Sequence, residues 1–186
     1  IQEEHQSQGF VIRSLMSDGD YHEVQNDLSE MTVRYRVASP QRKTDYTAVR
    51  AGNLILIQGE LAGRPLSRVL RIDARPWFET VEVSLSRLAV EGSSQPFVFW
   101  IVHPWEARAY LMQAKVEPQQ LIAVADANEL ATPIRMSQAG FFAFLWSALY
   151  WYRWPDGLFV RYNGVRGLPG TPPTVVELIA EQNVPR

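Results

Sequence analysis

The amino-acid sequence predicts a mainly β fold, an antiparallel meander curled into a partial (open) barrel with one helix packed on its concave face. Apolar and polar residues alternate with a period of two along most of the chain, which indicates half-buried strands. Short turns join successive segments and favour antiparallel neighbours. About nine or ten strands are expected, and a sheet of that length tends to curl. One segment alone has clear helical spacing.

The strands are predicted in order from this alternation. Residues 32–37 (TVRYRV) place Tyr35 and Val37 on an apolar face and Thr32 on the polar face. Residues 97–102 (FVFWIV) are wholly apolar, as in a strand that is covered on both faces. Further strands are predicted at 53–57, 68–72, 107–116, 121–125, 133–137 and 174–179.

Two hairpins are predicted from turn residues. The segments 46–61 and 65–73 flank the turn-like sequence Ala-Gly-Arg-Pro and are expected to pair antiparallel. The segments 146–154 and 158–162 flank Pro-Asp-Gly, which is the clearest turn signal in the chain.

The helix is predicted between Thr80, which could cap its start, and Gly92, which could end it. Its apolar residues fall at i, i+4, i+7 and i+8, the spacing of an amphipathic stripe. These residues are Val81, Leu85, Leu88 and Ala89. The apolar run at 139–148 is compatible with either helix or strand, and the sequence leaves that choice open.

The domain organisation is predicted as an N-terminal extension over 1–20, partly flexible, followed by a single β-rich domain over 21–186. The sequence begins at Ile1, and its first nine residues are mostly polar. This opening suits a mature exported protein whose signal has been removed, and it equally suits an arbitrary boundary.

Composition excludes several function classes. The chain has 186 residues, no Cys and a net charge of −2. Zero Cys excludes disulfides and Cys-based metal or nucleophile sites, and the acidic balance argues against nucleic-acid binding. No Gly-x-Ser-x-Gly, Walker A or dinucleotide motif is present, so no cofactor is predicted.

The longest apolar run, 139–152, is shorter than the ~20 residues of a membrane-spanning helix, and no membrane-spanning helix is predicted.

Catalytic candidates are few. His103 ends an apolar strand and could act as a general base or could simply close a turn, and His22 has the same two interpretations. The acidic residues are scattered, and no spacing marks a catalytic pair. They include Asp45, Glu60, Asp73, Glu79, Glu82, Glu106, Asp126, Asp156 and Glu177. No metal site is predicted.

Aromatic residues give the best indication of a binding site. They cluster in 141–154, and in a strand they would occupy both faces, of which a half-barrel needs only one for its core. Ordinary core filling is the alternative. Arginines nearby could clamp an anionic headgroup, or could form a solvated face with Glu partners. The predicted ligand-binding residues are Phe99, Trp100, Phe144, Trp146, Tyr150, Tyr152, Trp154, Arg153 and Arg161.

Several short sequences resemble a small uncharacterised family of exported bacterial β-meander proteins. They are YWYR at 150–153, DG at 156–157, FVRY at 159–162, GVRG at 164–167, PGTP at 169–172, FWI at 99–101, and the helix near Leu85. The resemblance covers residues 45–180. It implies a periplasmic location and a curved antiparallel sheet around a helix, a shape similar to the half-barrels of lipoprotein-localisation carriers. No residue of the lipid site of those carriers matches a position here.

Three functions remain after these observations. The first is a non-enzymatic periplasmic binding or carrier protein for an apolar ligand, for example one that bears an acyl chain. The second is an envelope protein-interaction module without a small-molecule ligand, docking through a sheet edge or an aromatic patch. The third is a hydrolase whose site assembles across strands and holds a carboxylate pair, or His103, with a shifted pKa. The oligomeric state is left open.

Overall fold

The computed structural model describes residues 2–6, 9–124, 127–140, 146–164 and 174–178. The elements of this part of the chain are β1 (Gln2–Gln6), β2 (Gly9–Leu15), β3 (Tyr21–Asp27), β4 (Thr32–Ser39), β5 (Thr44–Ala51), β6 (Leu54–Leu61), β7 (Arg64–Arg71), α1 (Val81–Ser84), α2 (Ser86–Glu91), β8 (Phe97–His103), β9 (Arg108–Val116), β10 (Gln120–Val124), β11 (Ala127–Gln138), β12 (Ser147–Arg153), β13 (Phe159–Gly164) and β14 (Thr174–Glu177).

The predicted fold class is confirmed. Two sheets have the strand orders β1-β2-β3-β4-β5-β6-β7 and β14-β13-β12-β11-β9-β8, and β10 pairs with β11 beside the second path. Neighbouring strands pair antiparallel from β1 to β7, and β11 pairs antiparallel with β9, β10 and β12. In the described part of the chain neither sheet closes on itself. The chain divides into two compact units. Unit 1 comprises Ile1–Ser84 and Phe99–Leu111, and unit 2 comprises Leu85–Val98 and Met112–Arg186.

Unit 1 contains the seven-stranded meander β1–β7, helix α1 and most of β8. Its core lies on the face of the meander that carries Tyr35 and Val37, called the inward face. The predicted β6–β7 hairpin is confirmed, with Leu54 opposite Arg71 and Leu61 opposite Arg64. Tyr35 and Val37 are buried as predicted. The core also contains Tyr46, Ile55, Ile57, Trp77 and Val102.

One residue of β4 departs from the predicted alternation. Thr32 was expected on the polar face, yet it is buried and donates its hydroxyl to Asn26 Oδ1 at 3.0 Å. The register between β3 and β4 shifts here, because Gln25 pairs with Arg34 and Asn26 pairs with Thr32. This bulge turns Thr32 inward.

Residues 1–20 contain β1 and β2, although the sequence predicted an extension there. Phe10, Val11 and Ile12 are buried, and β2 pairs with β3 along its full length. The predicted domain boundaries stay predictions.

The helical segment follows the predicted stripe. The backbone N–H groups of Val83 and Ser84 donate to Thr80 O, and Gly92 ends the segment with a φ of 73°. The segment is divided at Leu85 into α1 and α2. In unit 1, Ser84 of α1 donates its Oγ hydroxyl at 3.1 Å to the backbone oxygen of Glu30, in the turn between β3 and β4.

Unit 2 contains the second predicted hairpin. Tyr150 of β12 lies opposite Tyr162 of β13, which confirms the pairing. One core cluster is built on Val124, Ala131, Trp151 and Val160. Helix α2 contacts β11. Among the described residues, no helix is both long enough and apolar enough to cross a membrane.

Candidate functional site

Phe99 and Trp100, two of the predicted ligand-binding residues, lie on β8 within unit 1. Phe99 is fully buried, and its ring centroid lies 5.5 Å from that of Phe78. Trp100 is half-buried and donates its indole N–H to Asp73 Oδ1 at 2.9 Å. That hydrogen bond lowers the pKa of the Asp73 carboxyl. Both aromatic side chains therefore contact a residue from a different segment of unit 1.

The remaining predicted aromatic residues belong to unit 2. Tyr150 and Tyr152 are buried, and their ring centroids lie 6.2 and 6.0 Å from that of Phe159. Trp146 is half-buried, Trp154 is 39% exposed, and Phe144 lies outside the described residues. The structure thus brings Tyr150 and Tyr152 together in a buried aromatic cluster, and their role as ligand contacts stays a prediction.

The two predicted headgroup arginines both have acidic partners. Arg153 Nη2 lies 2.5 Å from Asp156 Oδ2, and this interaction lowers the pKa of the Asp156 carboxyl. Arg161 Nε lies 3.2 Å from Glu177 Oε1 on the neighbouring strand. Its guanidinium also lies 5.6 Å from the Trp151 ring centroid. An anionic headgroup at either arginine would compete with a carboxylate that is already in place.

A pocket of about 170 Å³ lies wholly within unit 1. Alternation along β2, β3 and β4 aims every second side chain inward and forms one side of it. The other side is formed by α1 and the two residues that precede it. The lining residues are Ile12, Ser14, Met16, His22, Val24, Tyr35, Glu79, Thr80, Glu82 and Val83.

Glu79 is half-buried and brings a largely desolvated carboxyl to this pocket. Its Oε1 accepts hydrogen bonds from the indole N–H of Trp77 and from the backbone N–H of Val102, the latter at 2.5 Å. Its Oε2 takes part in neither bond. Burial raises the pKa of Glu79 to about 8, although both hydrogen bonds act in the opposite direction. Desolvation exceeds the effect of the two donors, so the carboxyl is mostly protonated at neutral pH.

His22 and Tyr35 form a second polar group in the pocket wall. His22 Nδ1 lies 2.7 Å from the Tyr35 hydroxyl, and the two rings stack with centroids 5.9 Å apart. Burial lowers the pKa of His22, although Asp20 and Asp18 raise it. Burial also raises the pKa of Tyr35 well above its usual value. Both groups are therefore neutral at pH 7.

The pocket combines apolar walls with a few convergent polar groups, which is the usual character of a small-molecule site. No Lys or Arg is among its described lining residues. The residues that the structure describes hold no cluster of acidic and His side chains suited to a metal ion. The group of this pocket with a strongly shifted pKa is Glu79, whereas the hydrolase hypothesis named a carboxylate pair or His103. His103 O accepts the backbone N–H of Ala107 at 2.9 Å, so His103 closes a turn.

The sequence interpretation missed this pocket. His22, Val24 and Asn26 alternate along β3 toward the inward face, and this alternation was a usable signal. Glu79 gave no such signal, because Val102, one of its two donors, lies far from it in the chain. Its chemistry depends on burial that only the fold creates.

Comparisons with known proteins show a likeness of fold. The chain is similar to a beta-barrel-like protein of domain of unknown function DUF1849 from Brucella abortus, known from a crystal structure, with a TM-score of 0.54. The two share 11% sequence identity, and the match covers 85% of this chain and 74% of that chain. No family model matches the chain. No curated protein matches it.

Proposed function

We propose that this chain is a non-enzymatic binding or carrier protein for an apolar ligand and that the pocket of unit 1 takes that ligand. The single observation that carries the proposal is the pocket itself, with apolar walls around Glu79, His22 and Tyr35. The barrel-like fold of the Brucella abortus structure is compatible with a binding protein. A periplasmic location is part of the proposal and is supported by the sequence resemblance alone.

The size of the pocket limits the ligand. A volume of about 170 Å³ is smaller than the ~300–1,000 Å³ of sites that enclose drug-sized molecules. The pocket therefore suits a short aliphatic segment, either a small molecule or the end of a longer acyl chain. Each methylene buried there contributes about 0.8 kcal/mol.

The test uses short aliphatic ligands and a variant that fills the pocket. We expect 1-pentanol, pentylammonium or both to raise the melting temperature of the wild-type protein, because ligands that bind only the folded state stabilise it. Val83→Phe places a larger side chain in the pocket wall and should abolish the shift. Val69→Phe, at a position that is 60% exposed on β7, is the matched control and should keep it.

The proposal has a clear contrary result. It fails if 1-pentanol, pentylammonium and pentanoate all leave the melting temperature of the wild-type protein unchanged, or if Val83→Phe responds as the wild type does. Ser14→Leu narrows the same pocket from β2 and replaces Val83→Phe should that variant not fold.

A second candidate function is a hydrolase, and one observation favours it. Glu79, whose pKa burial raises to about 8, shares the pocket with Glu82 and His22. A protonated carboxyl is a competent general acid at neutral pH. Hydrolysis of 4-nitrophenyl esters or glycosides by the wild type, lost in Glu79→Gln and kept in Glu60→Gln, would support this function over the binding protein.

A further inference from the structure

The charge of the pocket in unit 1 points to a ligand chemistry that the sequence did not suggest. Two of its lining residues are acidic, Glu79 and Glu82, and none is Lys or Arg. His22 adds no positive charge at pH 7, because burial lowers its pKa. The charged groups that act on the pKa of His22 are acidic, namely Asp20, which lies 4.0 Å from Arg42 Nε, and Asp18.

An anionic ligand end would be poorly accommodated here. A ligand carboxylate or phosphate would have to bury its own negative charge beside Glu79, and the described lining holds no cation to compensate. The arginine clamp predicted from the sequence does not supply one, since Arg153 and Arg161 are not among the described lining residues and each has an acidic partner of its own.

A cationic donor fits the same groups. Both donors to Glu79 bond to Oε1, so Oε2 becomes an acceptor for a ligand once the carboxyl has released its proton. Tyr35 and Tyr46, whose hydroxyls interact electrostatically with Glu79, are both neutral at pH 7 because burial raises their pKa values. The lining offers no positive charge to balance the carboxylate form of Glu79. An ammonium group of the ligand would provide that positive charge and would donate a charge-assisted hydrogen bond to the carboxylate.

We propose that the pocket of unit 1 selects apolar ligands whose polar end is a protonated amine, held by Glu79, and rejects ligands that end in a carboxylate or phosphate. This rests on the proposed function, because it assumes that the pocket takes a ligand. Binding of the amine is then coupled to the release of one proton. The ammonium ion binds the carboxylate form of Glu79, and the proton that the carboxyl held in the free protein passes to the buffer.

The test compares three five-carbon ligands by isothermal titration calorimetry at pH 7: pentylammonium, 1-pentanol and pentanoate. We expect pentylammonium to bind at least about tenfold more tightly than 1-pentanol, and pentanoate to show no binding. Titrations in phosphate and in Tris, which differ in ionisation enthalpy, should show release of about one proton with pentylammonium and none with 1-pentanol.

Variants identify the residue responsible. Glu79→Gln keeps an oxygen for Trp77 and Val102 but cannot carry the negative charge, so it should lose the preference for the amine and the proton release while it still binds 1-pentanol. Glu60→Gln, at an exposed position on β6, is the matched control and should behave as the wild type.

The outcomes separate the two proposals. Tighter binding of pentanoate than of pentylammonium, or unchanged amine binding in Glu79→Gln, overturns the amine preference and leaves the binding function in place. The absence of binding by all three ligands overturns the binding function itself.

Discussion

The carboxyl of Glu79 links the stability of unit 1 to pH. In the folded protein burial raises its pKa from 4.5 to about 8. The folded state therefore holds this proton at pH values where the unfolded chain has released it. The contribution of Glu79 to the free energy of unfolding therefore falls as the pH rises from 4.5 toward 8, and it is constant above that window. His22 has a pKa lowered from 6.5, so its titration lies below neutral pH and does not overlap with the upper end of the window.

This pH dependence is measurable with urea denaturation at pH 7.0, 7.5 and 8.0. We expect the free energy of unfolding of the wild-type protein to fall by about 1 kcal/mol across this range. Glu79→Gln, which has no proton to release, should show no fall, and Glu60→Gln should behave as the wild type. The same slope in Glu79→Gln as in the wild type would show that another group is responsible.

At the scale of the elements, Gly59 allows β5 and β6 to pair closely. It lies opposite Tyr46 with a φ of 143°. A Cβ atom there would lie 2.3 Å from the backbone oxygen of Asp45 and 2.6 Å from Tyr46 Cα. Only a residue without a Cβ fits this position without a backbone shift.

Gly59→Ala should therefore lower the free energy of unfolding by more than ~2 kcal/mol, through the backbone clash and the unfavourable φ together. Gly52→Ala is the matched control, since Gly52 also has a positive φ, 61°, but has open space around its Cβ position. It should cost about 1 kcal/mol. Equal losses in the two variants, measured by urea denaturation, would contradict the role of close strand pairing.

The elements that the sequence predicted are those whose signals are local. The β6–β7 and β12–β13 hairpins have short turns, and the helical stripe ends at Gly92, so neighbouring residues specify them. Strand β3 (YHEVQND) was missed because its residues are mostly polar. Its buried Asn26 is satisfied by Thr32 and Thr80, and Thr80 lies far along the chain. The site was missed for the same reason, since the desolvation of Glu79 arises from tertiary packing.

At the scale of the whole molecule, the chain offers two candidate ligand sites, one in each unit. The sequence favours the aromatic residues of 141–154, which all belong to unit 2 and of which the structure describes 146–154. The structure favours the pocket of unit 1, because this pocket has a volume of about 170 Å³ and is lined by polar groups with shifted pKa values. Tyr150 and Tyr152 are already buried among aromatic neighbours, so a ligand would have to displace contacts to reach them.

Hydrogen exchange can distinguish these sites in the intact protein. A bound ligand slows exchange where it opposes local opening, so saturating pentylammonium should protect the amides of β2, β3, β4 and α1 and leave those of β12 unchanged. Val83→Phe should lose this protection, and Trp154→Ala should keep it, because Trp154 is 39% exposed and belongs to unit 2. Protection of β12 that disappears in Trp154→Ala would instead place the ligand at the aromatic strand. That result would favour the apolar, aromatic site of the sequence prediction over the acidic pocket.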